Sequence, residues 1–477
     1  MKKLYSLALC LVAFGAAAQS VSLDSCRNMA LKNNKLVKIA EENIRGAGYT
    51  RKAATAAYLP GIDFTCVYMY NQHQIELLGE DAKLPTMSFD METGKYNYNA
   101  VVGPNGVPVM DPSSGLPVPS TIALIPKEAM SFDTHNVFAG AFTLTQPIFM
   151  GGQIRALNQI AKYGESLAKS MHNQVSQEVI YKVDEAYWLV VSLKEKKNLA
   201  ENLVKLVDSL RDNVKAMLDE GVATQSDYLT VEVKYNEACI ALTKVDNGLS
   251  LSRMALAQIC GLPVDTQMEL EDESLSHTAG TPSGLMVTDM QDVYASRPDL
   301  DVLRQGIKIF ESKEKLALGA MLPKIAAVGA YSFSNPNVIH GFEKKFGGGF
   351  SVGATLTIPL WHWGGNYNQY RAAKSNTAAQ KLLLEDMEEK VDLQVSQAKY
   401  SFQEAHKTYD MTVNNMKSAD ANLKNAEIGF KEGVLTADDV IAAQTAWVKA
   451  NSEKIDAEIG IRLCEVYLSK VTGTMKY

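Results

Sequence analysis

Three carboxylates beside two glycines are the residues of this chain whose types and spacing could do chemistry. Thr224-Gln225-Ser226-Asp227 follows Gly221-Val222, and Thr436-Ala437-Asp438-Asp439 follows Gly433-Val434. Each is Thr-x-x-Asp, the pattern in which a threonine hydroxyl accepts from an amide three residues on and the aspartate reaches back to the threonine amide, opening a helix. A second role is compatible with the first. Around a symmetry axis, Asp227, Asp438 and Asp439 of several copies would form acidic rings, and such rings attract cations. Catalysis has no comparable constellation. The seven histidines are isolated, with no HExxH, no GxSxG and no P-loop, and Gly347-Gly348-Gly349 fits no phosphate-binding pattern. Trp361-His362-Trp363 sits where a membrane-interface girdle belongs. No catalytic, cofactor-binding or metal site is expected.

The motifs occur twice because the chain is a duplication. Thr143-Leu144-Thr145-Gln146-Pro147-Ile148-Phe149 returns as Thr355-Leu356-Thr357-Ile358-Pro359-Leu360-Trp361, and Glu220-Gly221-Val222-Ala223-Thr224 returns as Glu432-Gly433-Val434-Leu435-Thr436, both 212 positions on. The same offset carries Gly261 to Gly473. Upstream, Ala57-Tyr58-Leu59-Pro60 returns as Ala320-Met321-Leu322-Pro323 at an offset of 263, so about fifty extra residues lie between Pro60 and Thr143.

The elements that hold these motifs follow from periodicity. Phe350, Val352, Ala354, Leu356 and Ile358 alternate with Ser351, Gly353, Thr355 and Thr357, and Phe138, Gly140, Phe142 and Leu144 alternate with Ala139, Ala141, Thr143 and Thr145. One face is greasy and the other small or polar. Ile62 to Tyr70 and Ile325 to Phe333 alternate likewise after Pro60 and Pro323. Strands of about ten residues suit a tilted transmembrane β-strand. Phe138, Phe142, Leu144, Phe350, Val352, Leu356 and Ile358 are assigned to lipid. Four strands cannot close a barrel. Three copies supply twelve, whereas two supply only the minimum of eight.

Proline is absent between Gly152 and Gly221 and again between Gly364 and Glu432, which predicts two helices of roughly 100 Å. Ala200, Leu203, Val207, Leu210, Val214 and Met217 keep coiled-coil spacing, as do Tyr409, Thr412, Met416, Ala419, Leu423, Ala426 and Phe430. Returning helices run from Asp227 to Gly261 and from Asp439 to Thr472. Single helices from about Asp24 to Ala57 and from Asp289 to Ala320 are expected to stack end to end on them, giving twelve helical columns in a trimer.

Composition bounds the setting. Lys2-Lys3, an apolar run and Ala16-Ala17-Ala18 make residues 1–18 a secretory signal peptide, cut before Gln19. The formal charge of −7 is spread rather than blocked, which speaks against nucleic acid as a partner. Cys26, Cys66, Cys239, Cys260 and Cys464 form no CxxC and read as apolar fillers rather than a disulfide framework. No apolar run is long enough for a spanning helix.

These residues carry a resemblance. Ala-x-Leu-Pro before the first strand, Leu144 to Gly152 after the second, and the turns Gly221 to Asp227 and Gly433 to Asp439 resemble the TolC family of outer-membrane efflux proteins over essentially the whole mature chain. The resemblance implies a homotrimeric 12-stranded β-barrel on a long α-helical coiled-coil tunnel in the periplasm. It implies a periplasmic adaptor protein and an inner-membrane pump of RND, ABC or MFS type as partners, and no catalysis. It makes Gly221, Val222, Thr224, Gly433, Val434 and Thr436 the adaptor-docking tips, Asp227, Asp438 and Asp439 an acidic ring at the periplasmic tunnel entrance, and Pro60, Pro147, Gly151, Gly152, Pro323, Pro359, Gly364 and Gly365 the junctions between barrel and helices. Some members carry a basic residue two positions beyond the second glycine; this chain has Leu435.

The domain organisation expected is therefore a first repeat over 19–262, with an extracellular loop 71–136 and a tip near 221, a linker or equatorial segment over 263–288, and a second repeat over 289–477 with a tip near 433. The long loop, rich in proline, is expected to lack structure, as a decoration or a lid over the pore. The function expected is an outer-membrane export duct for small molecules. A protein-secretion outlet and, in a different class, a non-channel periplasmic coiled-coil adaptor or tether are the alternatives.

Overall fold

The computed structural model describes residues 20–266, 268–274, 289–337 and 343–475. The signal peptide and most of the 263–288 segment lie outside them. Two units emerge, and they cut across the repeat. A helical unit takes Met1–Ala54, Arg155–Ala317 and Tyr367–Tyr477, and a strand unit takes Thr55–Ile154 and Leu318–Asn366.

The helical unit is built from α1 (Leu23–Asn33), α2 (Lys35–Ala56), α3 (Gln153–Asp219), α4 (Gln225–Ile259), α5 (Met290–Ser296), α6 (Pro298–Gly319), α7 (Gly365–Lys431) and α8 (Ala437–Val471). Both α3 and α7 hold 67 residues, and both α4 and α8 hold 35. At 1.5 Å per residue each long helix runs roughly 100 Å. Such length needs packing along the helix, because helix propensity alone adds little. Three cores supply it. Val179, Val183, Val190 and Leu256 are buried with Ala30 and Val37 in one. Their repeat equivalents Val391, Val395, Phe402 and Leu468 are buried with Val293 and Leu300 in another. The third joins the far ends of the two hairpins, through Val207, Leu210 and Val214 of α3, Val231 of α4, Leu423 and Ala426 of α7 and Val440 and Ala443 of α8. Seam positions read from sequence thus face a partner hairpin.

The two expected single helices are each broken in two. Asn34 separates α1 from α2 and Arg297 separates α5 from α6, at equivalent places 263 positions apart. Pro298 explains the second break, since a residue before proline is pushed out of the helical region. The first has a tertiary cause. Asn34 Nδ2 donates to the carbonyl of Ile259 at 2.8 Å, and its Oδ1 accepts from the amide of Leu36 at 2.8 Å. Arg297 does the same on its side, donating from Nη1 to the carbonyl of Val471 at 2.9 Å. Each break residue therefore caps the C-terminus of the returning helix, where the last carbonyls have no partner of their own. The returning helices therefore end against these breaks and against the short helices before them.

In the strand unit, β1 (Gly61–Tyr70), β8 (Asn136–Met150), β9 (Lys324–Asn335) and β10 (Gly347–Thr357) form one antiparallel sheet in the order β1-β8-β9-β10. The register brings like residues together. Ile62, Leu144, Gly329 and Val352 form one row and Phe64, Phe142, Tyr331 and Phe350 the next, while Asp63, Thr143, Ala330 and Ser351 form a row on the other face. Between β1 and β8 the chain is not the structureless loop expected. It folds into an arm of nested short pairs: β2 (Ile75–Glu76) with β7 (Ser131–Phe132), β3 (Ala82–Pro85) with β6 (Ile122–Ile125), and β4 (Met87–Asp90) with β5 (Lys95–Tyr98). Isolated bridges at Ala100–Pro119, Val102–Pro108 and Met110–Pro117 continue the ladder. Proline is tolerated there because these bridges leave it outside the row of amide donors.

Candidate functional site

The sheet divides chemistry between its faces. Phe350 and Val352 are 83% and 81% exposed, and Ile62, Phe64, Phe142 and Leu356 are exposed on the same face. Phe64 and Phe142 pack with ring centroids 4.6 Å apart, and Tyr68 and Phe138 at 4.7 Å. Phe333 covers Gly140, where an added Cβ would meet the ring at 2.6 Å. The opposite face carries Thr65, Ala141, Ser332 and Gly349 in one row and Gly61, Thr145, Val328 and Gly353 in another. A face this apolar and this exposed is stable only against lipid or a partner. Ile358 departs from the expectation: β10 ends at Thr357, so Ile358 is exposed beyond the strand. β8, paired on both sides, continues to Met150 through a bulge between Pro147 and Phe149. β10, paired only with β9 among the described residues, stops before Pro359.

Where β8 gives way to α3, Gly151 and Gly152 have φ of +60° and +79°. A Cβ on Gly151 would lie 2.5 Å from the carbonyl oxygen of Gly319, so both the conformation and the space require glycine. In the second repeat the corresponding pair is Trp363 and Gly364, at +50° and +76°, and not Gly364 and Gly365 as the sequence suggested. Gly365 is simply the first residue of α7. Pro60 and Pro323 precede β1 and β9 by one residue.

The two turns at the hairpin ends are superimposable in their bonding. Val222 N–H donates to Met217 O at 2.8 Å and Gly221 N–H to Leu218 O at 2.9 Å; Val434 N–H donates to Gly429 O at 2.8 Å and Gly433 N–H to Phe430 O at 3.1 Å. With Gly221 and Gly433 at φ +75° and +74°, both are Schellman ends. Three residues later each return helix opens on a complete capping box. The amide and hydroxyl of Thr224 donate to Asp227 Oδ2, both at 2.8 Å, and those of Thr436 donate to Asp439 Oδ2 at 2.9 and 2.7 Å. The backbone and hydroxyl bonds from Thr224 hold Asp227 below the usual carboxylate range, and the hydroxyl and backbone bonds from Thr436 do so for Asp439. Asp438, next door, is exposed and stands outside the box. The structure thus brings both tips onto one core, with Ala223, Tyr228, Ala437 and Ile441 packed against it. Val222 and Val434 stand out from it, 71% and 78% exposed. Leu435, itself 37% exposed, lies against Gly429, where a Cβ would meet its side chain at 2.8 Å.

Sequence reasoning missed the bonds that cross between helices. Trp447 Nε1 of α8 donates to Asp420 of α7 at 2.5 Å, and the Arg211 guanidinium of α3 lies 4.3 Å from the Tyr235 ring of α4. Neither partner is within one turn of the other in sequence, so no local signal existed. It also missed the root of the arm, where Asn71 bonds the carbonyls of His135 and Thr134 and Lys344 of the second loop pairs with Asp133. Among the described residues no group of His, Cys, Asp and Glu is arranged to hold a metal ion, and no helix is long and apolar enough to cross a membrane.

This geometry has counterparts. Residues 119–262 and 290–474 match the sequence profile of the outer membrane efflux protein family, well over half of the chain. The outer membrane efflux protein BepC of Brucella suis biovar 1 is 24% identical over 336 residues, covering 70% of this chain and 71% of BepC. Among solved structures, the CmeC outer membrane channel of Campylobacter jejuni aligns with a TM-score of 0.72 at 15% identity, covering 94% of this chain and 85% of CmeC. The open state of the MtrE outer membrane channel of Neisseria gonorrhoeae aligns with a TM-score of 0.67 at 16% identity, covering 94% and 88%. The fold is thus the TolC-like one, helical tunnel element plus β domain, and its place is the outer membrane with the helices on the periplasmic side. Its task is transport, not catalysis. The chain belongs to the outer membrane efflux protein family.

Proposed function

We propose that three copies of this chain close a twelve-stranded barrel and act as the passive export duct of a tripartite efflux system, taking small molecules from a periplasmic adaptor and an inner-membrane pump. One observation carries the reading: the sheet is open. β1 and β10 each have one bare edge among the described residues, on a sheet whose one face is greasy and exposed. In hydrocarbon each unpaired backbone group costs several kcal/mol, so a lone chain in the membrane is excluded and the edges pair with other copies. Twelve strands rather than eight leave an interior wide enough to conduct, because an eight-stranded barrel is filled by its own side chains. The small residues of the inward rows suit such a lumen.

The hairpin tips are the docking surface for the adaptor in this reading. Two exposed valines on rigid Schellman turns, backed by a shared core, present an apolar contact of fixed shape. Residues 19–262 and 289–477 are the two copies of one ancestral unit, joined by 263–288. Efflux of small molecules is preferred over protein secretion, as the family name and the name of BepC suggest.

Mass measurement of the detergent-purified protein tests the assembly: three chains are expected, and a monomer or dimer as the only species ends the barrel argument. Crosslinking in cells followed by identification of the bound adaptor and transporter tests the partners. Absence of any adaptor or pump from that set refutes the tripartite reading.

A further inference from the structure

Two cysteines far apart in sequence meet in the structure. Cys26 lies in α1 and Cys260 is the C-cap residue of α4; both are fully buried, in the core that also holds Ala30 and Leu256. Cys260 Sγ lies 3.6 Å from the carbonyl oxygen of Cys26. The Cys26 side chain beside it holds the Cys260 thiol below the usual thiol range. The backbones approach here independently of the sulfurs, since a Cβ on Gly261 would lie 2.7 Å from Asn33 Cβ and Asn34 bonds Ile259. Cys66, Cys239 and Cys464 lie elsewhere, all with some exposure.

The second repeat holds its junction differently. The positions equivalent to Cys26 and Cys260 are Asp289 and Thr472. There the junction is held by Arg297, which donates to the Val471 carbonyl and forks onto both oxygens of Asp299 at 3.0 and 2.6 Å. In the first repeat the break residue is a neutral asparagine with no such ion pair.

We propose that Cys26 and Cys260 are joined as a disulfide in the mature protein. A chain bound for the outer membrane passes through an oxidising compartment. One thiolate attacks the disulfide of a thiol-oxidising oxidoreductase and forms a mixed disulfide. The second thiolate then displaces the enzyme sulfur, so that two protons and two electrons leave the pair and the enzyme's disulfide becomes two thiols. Both sulfurs are shut from solvent once α1 has docked, so the bond forms during folding and then resists reductants. Closing a loop this long in the unfolded chain favours the folded state.

The test uses the full-length protein from its own membranes. It is denatured without reductant, its free thiols are blocked with N-ethylmaleimide, and its peptides are read by mass spectrometry. The Cys26 and Cys260 peptides should be recovered joined and without maleimide, while Cys66, Cys239 and Cys464 carry it. Maleimide on both Cys26 and Cys260, or either joined to another cysteine, overturns the proposal. A second measurement compares the wild type with Cys26→Ala/Cys260→Ala, in denaturant with and without dithiothreitol. Reductant should lower the unfolding midpoint of the wild type alone; an equal response in both proteins overturns the proposal as well.

Discussion

Arginine placed along β10 should reveal the membrane as a gradient. Val352 is the middle residue of Gly347–Thr357, in the row with Ile62, Leu144 and Gly329. A tilted strand advances about 2.3 Å of depth per residue, from a rise of ~3.3 Å and a tilt near 45°. With Val352 at the midplane, Phe350 lies ~5 Å off it, Leu356 ~9 Å and Ile358 ~14 Å, the last beyond half of an apolar band about 25 Å tall. Arginine on the lipid face costs about 2–4 kcal/mol at the midplane and about 0–1 near the interface. Val352→Arg should therefore lose the most, Leu356→Arg about half of that, and Ile358→Arg little. If the cost adds over the three chains of the proposed barrel, Val352→Arg removes about 6–12 kcal/mol from the assembly. Gly353→Arg and Thr355→Arg point the other way. A Cβ at Gly353 meets nothing within 4 Å, so the arginine has room and changes conductance instead of folding. The assay is urea-dependent folding into lipid vesicles, paired with heat-stability of the trimer on gels and single-channel recording. Equal losses for Val352→Arg and Thr355→Arg, or an Ile358→Arg as damaging as Val352→Arg, would refute the assigned faces.

Three further outcomes follow from the helical unit. Gly433→Val forces a branched residue to φ +74°, where space is open but the backbone is strained by roughly 1–2 kcal/mol; export should fail in susceptibility assays while the trimer and its membrane insertion persist, and a variant that exports normally removes this turn from docking. Asp227 and Asp439 have folded pKa values below their unfolded ones, so their capping contribution is complete above the ordinary carboxylate value near pH ~4 and fades as pH falls through the depressed values. Hydrogen-exchange protection at the first turns of α4 and α8, taken relative to the intrinsic amide rate at each pH, should fall on acidification in the wild type and stay flat in Asp227→Asn/Asp439→Asn; single-channel block by periplasmic multivalent cations, if unchanged in that double variant, leaves capping as the only role of these carboxylates. Asp184 is fully buried and held by a fork from Arg27 at 2.8 and 2.6 Å, so Arg27→Ala strands a buried charge at a cost of about 3 kcal/mol, which Asp184→Asn in the same chain should largely restore in thermal unfolding.

Much of this architecture was legible in the residues, for a physical reason. Alternation over Phe350–Thr357 and the three-four spacing through Val207, Leu210 and Val214 are local consequences of which face is buried, and a duplicated chain states each of them twice. Thr224 and Asp227 are three residues apart, so the capping box was visible as well. What escaped reading depends on distant partners. Asn34 breaks a helix only because Ile259 offers it a carbonyl, and nothing within one turn of Asn34 signals it. Pro298 did signal its break, but the charge-dense run beside it continued the helical pattern. Trp363 takes the left-handed conformation that Gly151 takes in the first repeat, against the preference of its type, so glycine spacing pointed to Gly365 instead. The arm from 71 to 135 is stabilised by pairs as distant as Ile75 with Phe132, and its prolines hid it.

The two repeats agree where geometry constrains them and differ where they meet something unique. Schellman turns, capping boxes and buried positions such as Val183 and Val395 match at fixed offsets, because each builds the same wall. The differences fall at three places. The first repeat has an arm where the second has a short loop; Lys344 of that short loop pairs with Asp133 at the arm's root, so the insertion is anchored to its own counterpart. At the junction behind α4 a neutral Asn34 caps the returning helix beside two buried cysteines, where behind α8 the cap is Arg297, forked onto Asp299. At the tips Ala223 answers Leu435, and only the leucine lies against a glycine in the preceding helix. The proposed trimer would have six tips of two kinds. On the proposed docking, an adaptor that reads tip shape would meet two distinct sites per chain, and Leu435→Ala should make them alike: the ratio of tight to weak adaptor binding, measured by titration calorimetry, should move towards one class. Two classes persisting unchanged would place the distinction outside the turns.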